Sequence, residues 1–224
     1  MRNFLVGLLG LALVAFAAPA AHAQTAPIVT KSGPNYGPCT VSPLSCTGFY
    51  VGAGLGGIAT NFDLVGSGIS NSVFAGGALP FINVGWQYAY GSIYFAIDAG
   101  VGDQFSTSVN VNGVSGNQNG VYGYQEVQAG LSLAGLLDVT TTPLVSVPSV
   151  LSNRVIAPYL HLGIAERPWG NGVESGAGVK IDLTSHVLLD IKYTYVDYTG
   201  GAANNGPAHF NAENIVSIGA AYKF

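Results

Sequence analysis

Residues Thr47–Gly57, TGFYVGAGLGG, admit two readings that lead to different folds. Gly52, Gly54 and Gly57 spell G-x-G-x-x-G directly after an apolar run, the spacing of a dinucleotide-binding turn. That chemistry needs a helix after the glycines, whose N-terminal N–H groups hold the pyrophosphate, and an acid about 20 residues on for the ribose. The chain instead continues IATNFDLVGSGISNSVFAGG, with no helical period and no acid near position 77. Read at a period of two, the stretch is consistent throughout: Phe49, Val51, Ala53 and Leu55 point one way, and Tyr50, Gly52, Gly54 and Gly56 the other.

The same split recurs. Apolar faces run through Ile82, Val84, Trp86 and Tyr88; Ile93, Phe95, Ile97, Ala99 and Val101; Val127, Ala129, Leu131 and Leu133; and Ile156, Leu160, Leu162 and Ile164. They continue through Val173, Ala177, Val179, Ile181 and Leu183; Val187, Leu189, Ile191, Tyr193 and Tyr195; and Val216, Ile218, Ala220, Tyr222 and Phe224. The predicted strands number about eight, each near the 9–11 residues a tilted membrane strand requires. A soluble sandwich or lipocalin-like barrel also alternates. The opposite face distinguishes them, because here it is mostly Gly, Ser, Gln and Tyr, and only 8% of the chain is charged against roughly 25% in soluble domains. The sequence therefore predicts an all-β fold, an eight-stranded antiparallel up-and-down transmembrane β-barrel with its apolar face outward.

Parity assigns Asp98, Glu126, Glu174, Lys180, Asp182, Asp190, Lys192 and Lys223 to the lumen. A turn at Thr184-Ser185-His186 would set Lys180 opposite Asp190, whereas a slip of two residues would set it against Lys192; like charges across a pair are unfavourable by about 0.2–1 kcal/mol. The cluster could form an ion path or a salt-bridged filling. Eight strands leave an interior just wide enough for side chains, which favours the filling. Aromatic residues favour the membrane interface. Phe49, Trp86, Tyr88, Tyr222 and Phe224 fall at one end of their strands and Tyr193 and Tyr195 at the other, predicting two girdles.

Residues 1–23 read as a signal peptide: Arg2 is followed by the apolar stretch Phe4–Ala18, and Ala21-His22-Ala23 offers a small-x-small cleavage site. Loss of Arg2 would take the formal charge from −4 to −5, which gives no basic surface for nucleic acid. Residues 24–46, with prolines at 27, 34, 38 and 43, read as a periplasmic extension that either hangs free or enters the barrel mouth, and residues 47–224 as the barrel. Cys39 and Cys46 are expected to form one local disulfide in the oxidising compartment. This pair lacks the further ligands a metal site needs, and neither metal nor cofactor is expected.

Surface loops are expected at Asn61–Gly77, Asp103–Val121, Glu166–Asn171 and Asp197–Glu213. In the second, Asn112-Gly113 between short alternating runs predicts a small hairpin, with an unstructured polar loop as the alternative. Gly91-Ser92 and Thr184-Ser185-His186 suit periplasmic turns. Ala134–Arg154 is too long for one and has no account in this scheme.

TGFYVGAGLGG resembles the first strand of the small outer-membrane β-barrel proteins of Gram-negative bacteria, the opacity and porin-like surface protein group. SGAGVKIDLTSHVLLDIKYTYVDY, from Ser175, resembles the penultimate hairpin of that group, and NIVSIGAAYKF its C-terminal strand. The resemblance spans most of residues 47–224 and implies an eight-stranded barrel in the outer membrane, with Tyr222 and Phe224 as the signal read by the barrel assembly machinery. Ala134–Arg154 and the cysteine pair depart from the pattern. The role expected is structural and interactive: a barrel in contact with outer-membrane lipid and lipopolysaccharide, presenting loops to a host or phage ligand. A narrow pore is the alternative. Some small barrels are enzymes acting on lipid A; PAHFNAEN offers His209 near Glu213, but Asn211 stands where a nucleophilic serine would be needed, so no catalytic residues are expected.

Overall fold

The computed structural model describes residues 44, 46–66, 69–90, 93–106, 109–111, 114–116, 119–132, 155–198, 204–205 and 208–224. The strands are β1 (Gly48–Gly66), β2 (Ile69–Tyr90), β3 (Ile93–Ser106), β4 (Val109–Val111), β5 (Val114–Gly116), β6 (Gly120–Leu131), β7 (Ile156–Arg167), β8 (Gly170–Asp182), β9 (Val187–Asp197), β10 (Asn204–Asn205) and β11 (Ala208–Lys223). Eight long strands pair in the order β1-β2-β3-β6-β7-β8-β9-β11, and β11 returns to β1, so the sheet closes on itself. Each neighbouring pair is antiparallel, and closure runs from Tyr50↔Lys223 to Leu64↔Ala208 with a register shift between Asn61 and Phe62. The ring leaves the long strands with no open edge, which is how strands satisfy their N–H and C=O groups in lipid.

Alternation decides which way each residue faces. Leu160 is 69% exposed, Ile82 61% and Val216 60%, while Tyr94, Lys180 and Lys223 are 0–1% exposed. Apolar residues coat the outside and polar ones fill the inside, the inverse of a water-soluble barrel and the arrangement that hydrocarbon surroundings require. Among the described residues no helix is long and apolar enough to cross a membrane. Ala99, on the outward parity, is only 4% exposed, its single methyl lying between Ile97 and Val101 on the same strand.

The interior is packed by a pairing of large with absent side chains. Tyr50 lies in register with Gly85, Tyr94 with Gly130, Tyr124 with Gly100, and Tyr159 with Gly178. A Cβ built on any of these glycines would run into the facing tyrosine ring. Two glycines of Thr47–Gly57 obey the same rule: Gly52 faces Asn83, Gly54 faces Phe81, and a Cβ at either position would overlap the partner side chain. They make room for a neighbour across the sheet, not for a phosphate.

At the end opposite the β8–β9 turn the strands run further than expected. Asn61–Gly77 is strand on both sides of residues 67–68, with β1 and β2 in register up to Gly66↔Ile69. Strand length set by bilayer thickness misses this, because backbone groups remain best satisfied by pairing after the strand has left the lipid. Likewise β3 continues to Ser106, and Glu166–Asn171 is two strand ends joined at Pro168-Trp169. The Asn112-Gly113 segment is flanked by the β4–β5 hairpin, with Val111↔Val114 its innermost pair. At the periplasmic end, Leu183 N donates to Val187 O at 2.8 Å, and Thr184 Oγ1 accepts from Val187 N at 2.9 Å, shaping the β8–β9 turn. The signal-peptide segment, Cys39 and Ala134–Arg154 lie outside the described residues.

Candidate functional site

The barrel lumen gathers the polar side chains into three tiers. In the tier at the β8–β9 turn end, Leu44 and Cys46 enter the mouth. Leu44, 1% exposed, packs with Tyr94, Ala96, Ala157 and Tyr159. Gln87 Nε2 donates to Leu44 O at 3.1 Å, and Lys223 Nζ donates to Cys46 O at 2.6 Å. Asp182 is buried on the same inward face. Of residues 24–46 only Leu44 and Cys46 are described, and these two lie at the barrel mouth.

The middle tier holds the charge cluster. Asp98 Oδ2 accepts from Tyr50 Oη at 2.6 Å and from Asn83 Nδ2 at 2.9 Å. Glu126 Oε1 accepts from Gln128 Nε2 at 2.7 Å, and Lys192 Nζ reaches both Glu126 oxygens, at 3.0 and 3.1 Å. Lys192 also lies 4.4 Å from the Tyr124 ring centre. Lys180 and Asp190 are register partners, yet each has its hydrogen bond elsewhere: Lys180 Nζ donates to Gln128 Oε1 at 2.5 Å, and Asp190 Oδ1 accepts from Tyr159 Oη at 2.7 Å. The ammonium of Lys180 is ringed by Tyr50, Tyr94 and Tyr159 at 5.1, 5.6 and 5.2 Å, so aromatic faces replace much of its hydration. His161 Nδ1 stands 2.9 Å from Glu126 Oε2, and Glu174 Oε2 accepts from Tyr122 Oη at 2.7 Å.

The outer tier is one that strand parity, stopped at the bilayer edge, does not find. Arg167 and Glu213 fall in segments expected as surface loops; both are buried, with Arg167 Nη2 2.8 Å from Glu213 Oε2. Tyr198 Oη donates to the same oxygen at 2.9 Å, and Arg167 lies 4.5 Å from the Tyr122 ring centre and 5.4 Å from that of Trp169. Extending the period of two past Ile164 and before Ile215 would place both side chains inward. The lumen tyrosines are inward by parity, but parity does not show which carboxylates they reach: Tyr50 bonds Asp98, Tyr122 Glu174 and Tyr159 Asp190.

The lumen is close to full. A cavity of about 20 Å³ lies among Tyr50, Asn83, Asp98 and Lys192, and another of similar volume beside Tyr122, Thr194 and Ser217, each about the room of one water. On the exterior, Trp86 and Tyr88 stack at 6.1 Å, His186 and Tyr222 at 5.6 Å, and Tyr222 meets Phe224 edge-on at 5.2 Å, with Phe49 in register with Trp86. Tyr193 and Tyr195 sit near the other end, 45% and 40% exposed. A closed eight-stranded ring, greasy outside and polar inside, with aromatics at both rims, is the build of a chain that crosses a bilayer with strands. It is a transmembrane β-barrel.

No family model matches the chain, and no curated protein matches it. Solved barrels do. Neisserial surface protein A aligns over 79% of this chain and 97% of its own, at 17% identity and a TM-score of 0.43. A de novo designed transmembrane β-barrel aligns over 79% and 96% at 16% identity and a TM-score of 0.35. Ail, the attachment invasion locus protein of Yersinia pestis, solved with the heparin analogue sucrose octasulfate, aligns over 79% and 99% at 12% identity and a TM-score of 0.33.

His209 and Asn211 have no described side chains, so the lipid A site considered from sequence lies outside the described residues.

Proposed function

We propose that this protein is a sealed structural barrel of the outer membrane whose work is done at its surface, without chemistry of its own. The observation that supports this is the filling of the lumen by the described residues: Leu44 and Lys223 occupy the periplasmic mouth, the Glu126–Lys192 network the middle and the Arg167–Glu213 pair the outer end, with a cavity of about 20 Å³ beside Asp98 and Lys192. Solute passage would require several buried ion pairs to part at once. The β1–β2 hairpin, paired to Gly66↔Ile69, raises a platform beyond the membrane-crossing length, where lipopolysaccharide and a host or phage ligand are met. Tyr222 and Phe224, on the outward face of the closing strand, present the aromatic end read by the assembly machinery.

Planar-bilayer recording of the folded protein tests this reading against the narrow-pore alternative. No resolvable single-channel steps are expected, and none should appear on Asp98→Asn. Regular conductance steps that change with Asp98→Asn or Glu126→Gln would overturn it.

A further inference from the structure

Glu126, His161 and Glu174 come from three different strands, β6, β7 and β8, and one ligating atom from each lies within 4.8 Å of the other two. His161 Nε2 is 3.1 Å from the carbonyl oxygen of Tyr193. A carbonyl only accepts, so Nε2 carries the hydrogen and Nδ1 is the ring nitrogen left to face inward. Nδ1 stands 2.9 Å from Glu126 Oε2 without being aligned as a hydrogen bond, and both side chains are fully buried. Glu174 is 1% exposed; its Oε2 takes the Tyr122 hydroxyl, while no donor reaches Oε1. Glu126 Oε1 takes both Gln128 and Lys192, while Oε2 takes Lys192 alone, at 3.1 Å, and is the less committed oxygen.

Each residue thus holds one atom through an outer partner and turns another toward the same point. That is how metal-binding imidazoles and carboxylates are oriented: an N–H to a backbone carbonyl, and hydrogen bonds on the carboxylate oxygen away from the ion. Charge points the same way. In the middle tier Asp98, Glu126, Glu174 and Asp190 face Lys180 and Lys192, while Asp182 with Lys223 and Arg167 with Glu213 balance at the two ends. The middle tier thus sets four carboxyl groups against two ammonium groups, with the His161 imidazole as its remaining basic group.

We propose that the lumen binds a divalent first-row metal ion, of the zinc class, through Glu126 Oε2, His161 Nδ1 and Glu174 Oε1, as a cross-link between β6, β7 and β8. One nitrogen and two oxygens form a donor set of intermediate hardness, which suits zinc better than calcium or magnesium. Ligand atoms of a tetrahedral zinc site are about 3.4 Å apart, so the 2.9 Å pair of His161 and Glu126 opens slightly and Glu174 moves in when the ion enters.

The test is zinc titration by calorimetry of the full-length protein, folded in detergent and stripped with a chelator, with the gel shift on boiling as the check of folding. One zinc per chain is expected, with at least tenfold weaker binding in His161→Gln and Glu174→Gln and unchanged binding in Asp103→Asn, at an exposed carboxylate outside the lumen. Absence of uptake by the folded wild type, or uptake unaltered in both ligand variants, would overturn the proposal. If those variants fail to fold, zinc-edge X-ray absorption of the wild type decides: one imidazole among oxygen neighbours supports the site, and two imidazoles, sulfur or no imidazole refutes it.

Discussion

Gly178 carries no side chain because Tyr159 fills its place: a Cβ there would lie 2.5 Å from the Tyr159 ring and hydroxyl oxygen. The same tyrosine donates to Asp190, so the glycine also positions a link in the polar network. Gly178→Ala is therefore expected to destabilise the barrel by about 1–3 kcal/mol, the usual cost of overpacking, measured from urea unfolding in detergent. Gly57→Ala, at an exposed glycine whose added Cβ would have its nearest neighbour 4.0 Å away, should leave the midpoint essentially unmoved. At this scale the sequence shows only part of the picture. That Tyr50, Tyr94 and Tyr159 face inward follows from parity, but that each needs a glycine opposite depends on register, which a single strand does not contain. His161 is visible as an inward residue, whereas its convergence with Glu126 and Glu174 arises from the stagger between strands.

Strands are legible because their period of two is a property of the backbone and one face must meet lipid. Leu162 and Val127 are register partners on that face, each 56% exposed. Leu162→Arg is expected to cost about 2–4 kcal/mol in a folded, bilayer-inserted barrel, measured from the shift in unfolding midpoint in lipid, since a charge near the midplane loses its hydration. A soluble barrel would gain solubility from the same change. Strand ends are less legible, as Arg167 and Glu213 show, because nothing in composition marks where pairing stops once lipid has ended. The last strand allows assembly to be separated from stability. Phe224 is 71% exposed and its N–H donates to Phe49 O at 3.0 Å, so it contributes little packing. Deleting it should leave the purified protein able to refold in detergent, with the same gel shift on boiling, while the amount reaching the outer membrane in cells falls severalfold. Equal losses in both settings would show that the residue is structural only.

For the whole molecule, composition and alternation together suffice to recognise a membrane barrel: with 8% charged residues, a chain whose strands are apolar on one face cannot cover itself for water. The lumen's behaviour is harder to read. Pore and plug share one list of inward charges, and only three-dimensional placement shows that Lys192 bonds Glu126 and that Lys223 is engaged with the N-terminal extension.

That last contact has a consequence in time. Cys46 and Lys223 are 177 positions apart, near opposite limits of the barrel sequence, whereas the pocket for Leu44 is built from β3 and β7 alone. The extension can therefore be seated before the ring closes, but its bond to Lys223 must wait for the final strand. That bond latches the first part of the barrel chain to the last.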